Sequence, residues 1–139
     1  MTVLRRLVRY RRHLLDEKRR ELRDLEERAA AVDAAIADLD ESVIAEQRFA
    51  RKSREAIGTY GGFARAALDR RSTLLEALSE ANAKVESARD GLLEMFSEAK
   101  RYEIGLEHQL EQERQELERR AQGAIDEAAL NLHRRREAG

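Results

Sequence analysis

From Leu4 to Ile57 the apolar residues recur at alternating steps of three and four. One set, Val8, Leu15, Leu22, Ala29, Ile36, Val43, Ala50 and Ile57, is apolar throughout. A second set, Leu4, Arg11, Lys18, Leu25, Val32, Leu39, Glu46 and Ser53, is apolar at half its positions. A seven-residue repeat sustained this long means a helix packed along a narrow stripe on another helix, and it predicts a first helix over about 3–57. The repeat stops at Gly58-Thr59-Tyr60-Gly61-Gly62. Glycine is favoured where a chain needs positive φ to leave one helix and start the next, so the turn is predicted at 58–62. Thr59 stands there either as the cap of the second helix or as part of the turn.

Beyond the glycines the stripe resumes and predicts a second helix over about 63–136. Ala64, Leu78, Val85, Leu92, Ala99 and Leu106 form one set, with Arg71 as the exception, and Ala67, Leu74, Ala81, Ala88, Met95 and Tyr102 form the other. Past Leu106 the steps lengthen through Leu110, Glu113, Leu117, Ala121, Ala124 and Ala128. That spacing approaches an eleven-residue repeat, which relaxes a left-handed supercoil.

A reversal at residue 60 pairs positions whose numbers sum to about 120. Ile36 then meets Val85, Ala29 meets Leu92, Leu25 meets Met95 and Val32 meets Ala88, several of them large against small. Lys18 falls opposite Tyr102, and Arg11 within a turn of Gln109 and Glu113. The fold class expected is all-α, a long antiparallel two-helix coiled-coil hairpin forming a single domain over 1–139. A parallel homodimer of one continuous helix is the rival. It sets Arg11 against Arg11 and buries the glycines mid-helix at roughly 1 kcal/mol each, so the hairpin is preferred. The second helix outlasts the first and leaves an overhang from Glu118 onward. The isolated chain is expected to be a monomer.

Composition supports long helices. Ala, Glu, Arg, Lys and Leu supply 87 of the 139 residues, proline is absent, and 40% of residues are charged, above the roughly half from these types that marks a long helix or coiled coil. Charge is segregated. Residues 5–23 carry nine bases and three acids, residues 24–47 eight acids and one base, and residues 48–71 seven bases and two acids. No apolar stretch approaches the roughly 20 residues of a membrane span. The basic start lacks the uninterrupted apolar run of a secretory signal, so a cytoplasmic location is expected.

The same residues argue against an enzyme. No Cys is present, and the three histidines, His13, His108 and His133, do not share a helix face. His108 and Glu111 stand three apart, half of a metal site and a common spacing on a helix this charged. No phosphate-cradling glycine motif is present. Catalytic, cofactor and metal sites are therefore expected to be absent, as are small-molecule substrates. The N-terminal bases invite comparison with a basic-region zipper, but Leu4, Val8 and Leu15 already belong to the stripe, and the net charge is −1. Nucleic acid is not expected as a partner.

Several features together resemble the flagellar type III export protein FliJ family and the related stalk proteins of virulence type III secretion. These are the Pro-free, Cys-free hairpin with a longer second helix and the step Tyr60-Gly61-Gly62-Phe63. They also include the stretch Leu92-Leu93-Glu94-Met95-Phe96-Ser97-Glu98-Ala99-Lys100-Arg101-Tyr102-Glu103 and the Arg/Glu-rich tail from Glu111 to Arg136. The resemblance implies a non-enzymatic stalk whose termini insert into the hexameric export ATPase. Its tip would face the membrane export gate protein, and it would also handle export chaperones. It would work in the cytoplasm, peripherally at the inner membrane. Arg5, Arg6, Arg9, Arg12, Arg134, Arg135 and Arg136 would touch the ATPase ring. Phe49, Arg51, Arg54, Tyr60 and Phe63 would form the gate-facing tip, although the three aromatics read equally well as a cluster that closes the turn. The alternative is a coiled-coil adaptor or chaperone scaffold unrelated to any ATPase.

Overall fold

A computed structural model describes residues 2–139. It is all-α: α1 runs over Thr2–Ala50 and α2 over Arg54–Ala138, packed against each other as a helical hairpin, with no strand among the described residues. The stripe read from the sequence is the packing face. In α1 Val8, Leu15, Ala29, Ile36 and Ala50 are buried, and in α2 Ala67, Leu74, Val85, Ala88 and Ala99. No polar side chain is buried with them among the described residues.

The reversal lies elsewhere than expected. The chain turns at residues 51–53, and Gly58, Gly61 and Gly62 are helical residues of α2. No glycine among the described residues has positive φ. The turn is built from local polar groups instead. The Arg51 amide donates to the Gln47 carbonyl at 3.2 Å and the Lys52 amide to the Phe49 carbonyl at 3.0 Å. The Ser53 hydroxyl then accepts from the Ala56 amide at 3.5 Å. Ser53 is thus the N-cap of α2, with Glu55 in its first turn where a negative charge suits the helix dipole. Ile57, expected as the last stripe position of the first helix, is an exposed residue of α2.

Moving the turn shifts the pairing register. Asp40 pairs with Arg71 and Glu26 with Arg89; these numbers add to 111 and 115 rather than 120. Each α1 residue therefore meets α2 about one heptad earlier than expected. A slip of one heptad returns the same stripe to the same face, so the stripe is unchanged while its partners differ. Lys18 does not lie over Tyr102. Its stem runs beside Gly91, where an added Cβ would stand 3.4 Å from Lys18 Cε, and its ammonium reaches Glu21 at 3.3 Å.

Contacts group the chain into two compact units, each containing a stretch of both helices. One is Leu14–Met95, with the turn and most of the buried residues; the other is Met1–His13 with Phe96–Gly139. In the second, Val8 and Ala99 are buried and Leu4, Leu106 and Leu110 half-buried. Every described residue beyond Glu113 is exposed.

The two readings of the glycines make opposite predictions. A Cβ at Gly61 or Gly62 meets nothing within 4 Å, and a helical glycine costs about 1 kcal/mol relative to alanine. The Gly61→Ala/Gly62→Ala double variant should therefore stabilise the protein by about 1–2 kcal/mol in urea unfolding. A loss of stability would mean that these residues form the turn.

Candidate functional site

Among the described residues every polar and charged side chain is at least partly exposed, so the candidate sites lie on the surface. In the unit Met1–His13 with Phe96–Gly139, Arg11 occupies a seam position in place of an apolar residue. Its guanidinium carbon stands 5.1 Å from the Tyr102 ring centroid, and Nη1 donates to the Glu98 carboxylate at 2.6 Å. The cation lies on the ring face and the stem fills the seam, so the charge reaches the surface. Arg11 Nε has no acceptor. Tyr102 thus receives a basic seam residue, as the sequence suggested, but from one heptad further toward the N-terminus.

Arg12 donates through Nε to Glu103 at 2.9 Å, and Lys100 approaches the other oxygen of that carboxylate at 3.7 Å. The hydrogen bond from Arg12, aided by the charges of Arg12 and Lys100, holds the Glu103 carboxyl below its ordinary range, against the opposing effect of burial. Further along α2, Arg114 bridges Glu111 and Glu118, and its hydrogen bond lowers the Glu111 carboxyl likewise.

Of the bases expected at the ATPase ring, Arg12 is therefore committed within the fold. Arg5, Arg6 and Arg9 are exposed, and among the described residues no carboxylate pairs with them. Arg134, Arg135 and Arg136 are also exposed, at the far end of α2. The two clusters are not brought together. Arg134 lies 31 residues beyond Glu103, the partner of Arg12, which is roughly 46 Å along the helix.

The unit Leu14–Met95 carries the reversal. Phe49, in the last turn of α1, is 61% exposed, and Arg51 and Arg54 flank it in the turn and at the first position of α2. Tyr60 and Phe63 are half-buried on α2 rather than at the turn itself. Tyr60 lines a shallow groove of about 340 Å³ with Leu39, Val43, Ala64 and Leu68, and Asp40 and Arg71 lie along it, joined at 2.9 Å. Two tip residues escaped the sequence reading, Lys52 and the 59% exposed Ile57. The Ser53 cap was the signal that places them there.

Among the described residues no three His, Cys, Asp or Glu side chains are grouped to hold a metal ion, and no helix is long and apolar enough to cross a membrane. Comparison with protein-family models, curated proteins and solved structures finds no match.

The Arg12–Glu103 pair predicts a pH dependence. Because the folded carboxyl titrates below its unfolded value, its contribution is full above the ordinary carboxylate range and is lost as pH falls through the folded value. The protection of amides in the first turns of α1, taken relative to their intrinsic exchange rate at each pH, should therefore fall on acidification in the native chain. The Glu103→Gln variant should show that fall reduced. An identical acid response in both would show that the pair does not hold this end.

Proposed function

We propose that this chain is the non-enzymatic stalk of a flagellar type III protein export apparatus, inserting into the hexameric export ATPase and linking it to the export gate and to export chaperones. The observation that carries this reading is the unequal hairpin. α2 continues some 25 residues past the last residue that packs on α1, and the basic residues at both chain ends are exposed. The family resemblance in the seam, the Tyr60–Phe63 step and the charged tail supports the same assignment.

The physical rationale is asymmetry. A stalk built from two unlike helices offers a different surface to each subunit of a symmetric ring. It can therefore bias their conformations unequally, provided it binds those conformations with different affinity. Arg5, Arg6 and Arg9, exposed near the start of α1, are the residues assigned to acidic loops of the ring, with Arg134 to Arg136 at the far end of α2 as a second basic cluster. Arg12 acts as a positioning residue through Glu103. At the reversal, Phe49, Arg51, Arg54 and Ile57 form the surface assigned to the gate, with Tyr60 and Phe63 behind them.

The test is the ATPase rate of the purified ring alone, with this protein, and with its Arg5→Glu/Arg6→Glu/Arg9→Glu variant. The stalk reading expects a several-fold rise with the native chain and most of that rise lost with the variant. An equal rate in all three would remove it and leave the adaptor reading, in which the partners recovered with this chain include no ATPase.

A further inference from the structure

The part of α2 beyond Glu113 extends the face that packs on α1, with nothing among the described residues to cover it. Leu106 and Leu110 are half-buried on that face, and the same stripe continues through Leu117, Ala121, Ala124, Ile125, Ala128 and Leu132, all exposed. At 100° per residue these six lie within an arc of about 100°, the width of a packing face. Leu117, Ile125 and Leu132 are 65%, 62% and 56% exposed. An amphipathic helix keeps such a stripe to bury it against another helix.

The order of residues along the stripe identifies the occupant. A two-fold axis between residues 124 and 125 sets each position against the one whose number completes 249. Leu117 then meets Leu132, Ala121 meets Ala128, and Ala124 meets Ile125. An interface between identical copies must be self-complementary in this way. Charge has the same symmetry. Residues 111–118 carry four Glu and one Arg, and residues 131–138 carry three Arg and one Glu. Antiparallel pairing lays the acidic block of one copy beside the basic block of the other. Parallel pairing lays Arg134, Arg135 and Arg136 beside themselves.

We propose that the overhang of α2 pairs with the same segment of a second copy, antiparallel, about an axis beside residues 124 and 125. This replaces the expectation of a monomer and does not depend on the export reading. The apolar stripe is about 22 Å long, short for a stable interface, so the association is weak and dependent on concentration and salt.

Sedimentation equilibrium of the full chain tests it. Between about 1 μM and 1 mM the mass should rise from one chain toward two, less so in high salt. Ile125→Asp should abolish the rise with helicity unchanged, because this residue lies outside the intrachain seam. Orientation is read by disulfide trapping in a chain that otherwise has no Cys. A mixture of Ala121→Cys and Ala128→Cys proteins should cross-link to each other, and Ala121→Cys alone should not. A single mass throughout, a dimer that survives Ile125→Asp, or self-linking by Ala121→Cys alone would each overturn the proposal.

Discussion

The structure depends on one stripe of side chains about two residues wide per two turns. Two helices have no third layer to lean on, so the face between them is the whole core. Among the described residues none of its large side chains is sealed completely from water. The filling alternates in size, with Leu15, Ile36, Leu74 and Val85 among Ala29, Ala50, Ala67 and Ala88, which holds the helix backbones close. Each isolated helix would gain little from propensity alone, and tertiary packing of this stripe carries most of the stability. The charged majority is left outside, where single ion pairs such as Glu26–Arg89 contribute modestly and serve mainly to disfavour other registers.

That economy explains which parts of the fold could be read in the chain. Every seam position of α1 from Leu4 to Val43, and of α2 from Ala64 to Leu110, is buried or half-buried, because a heptad pattern states which face is covered. The pattern does not state by what, since sliding one helix by seven residues restores it. The turn had to break that degeneracy, and the glycines pointed to the wrong one. Gly58, Gly61 and Gly62 permit a turn without requiring it, and a helix running through them loses only propensity. Ser53 followed by Glu55 stated the true helix start, through a hydroxyl that satisfies an amide the helix itself leaves unpaired. From that error followed the misplacing of Ile57 and the assignment to Lys18 of the ring that Arg11 occupies.

The candidate surfaces were legible in part for the same reason. Exposed charge can be recognised from periodicity, so Arg5, Arg6 and Arg9 stand at the surface as their spacing implies. Whether a surface charge is already committed depends on register. Arg12 reaches Glu103 only in the observed pairing, and no rule of spacing along one helix could have shown it. Likewise Tyr60 and Phe63 sit about two to three turns behind the reversal once the turn moves to residues 51–53. What remains at the exterior is three surfaces of different chemistry. They are basic residues near the N-terminus, an aromatic and aliphatic pair at the reversal, and an exposed apolar stripe in α2.

Everything in this account requires that α1 and α2 fold back within one molecule, in the register that places residue 26 beside residue 89. Dipolar spectroscopy on the chain spin-labelled at Glu26 and Arg89, diluted into unlabelled protein so that only distances within a molecule contribute, measures this directly. The account predicts a narrow distribution below about 20 Å, given two labels on neighbouring helices. A separation near 95 Å, the length of 63 residues of continuous helix, would contradict it.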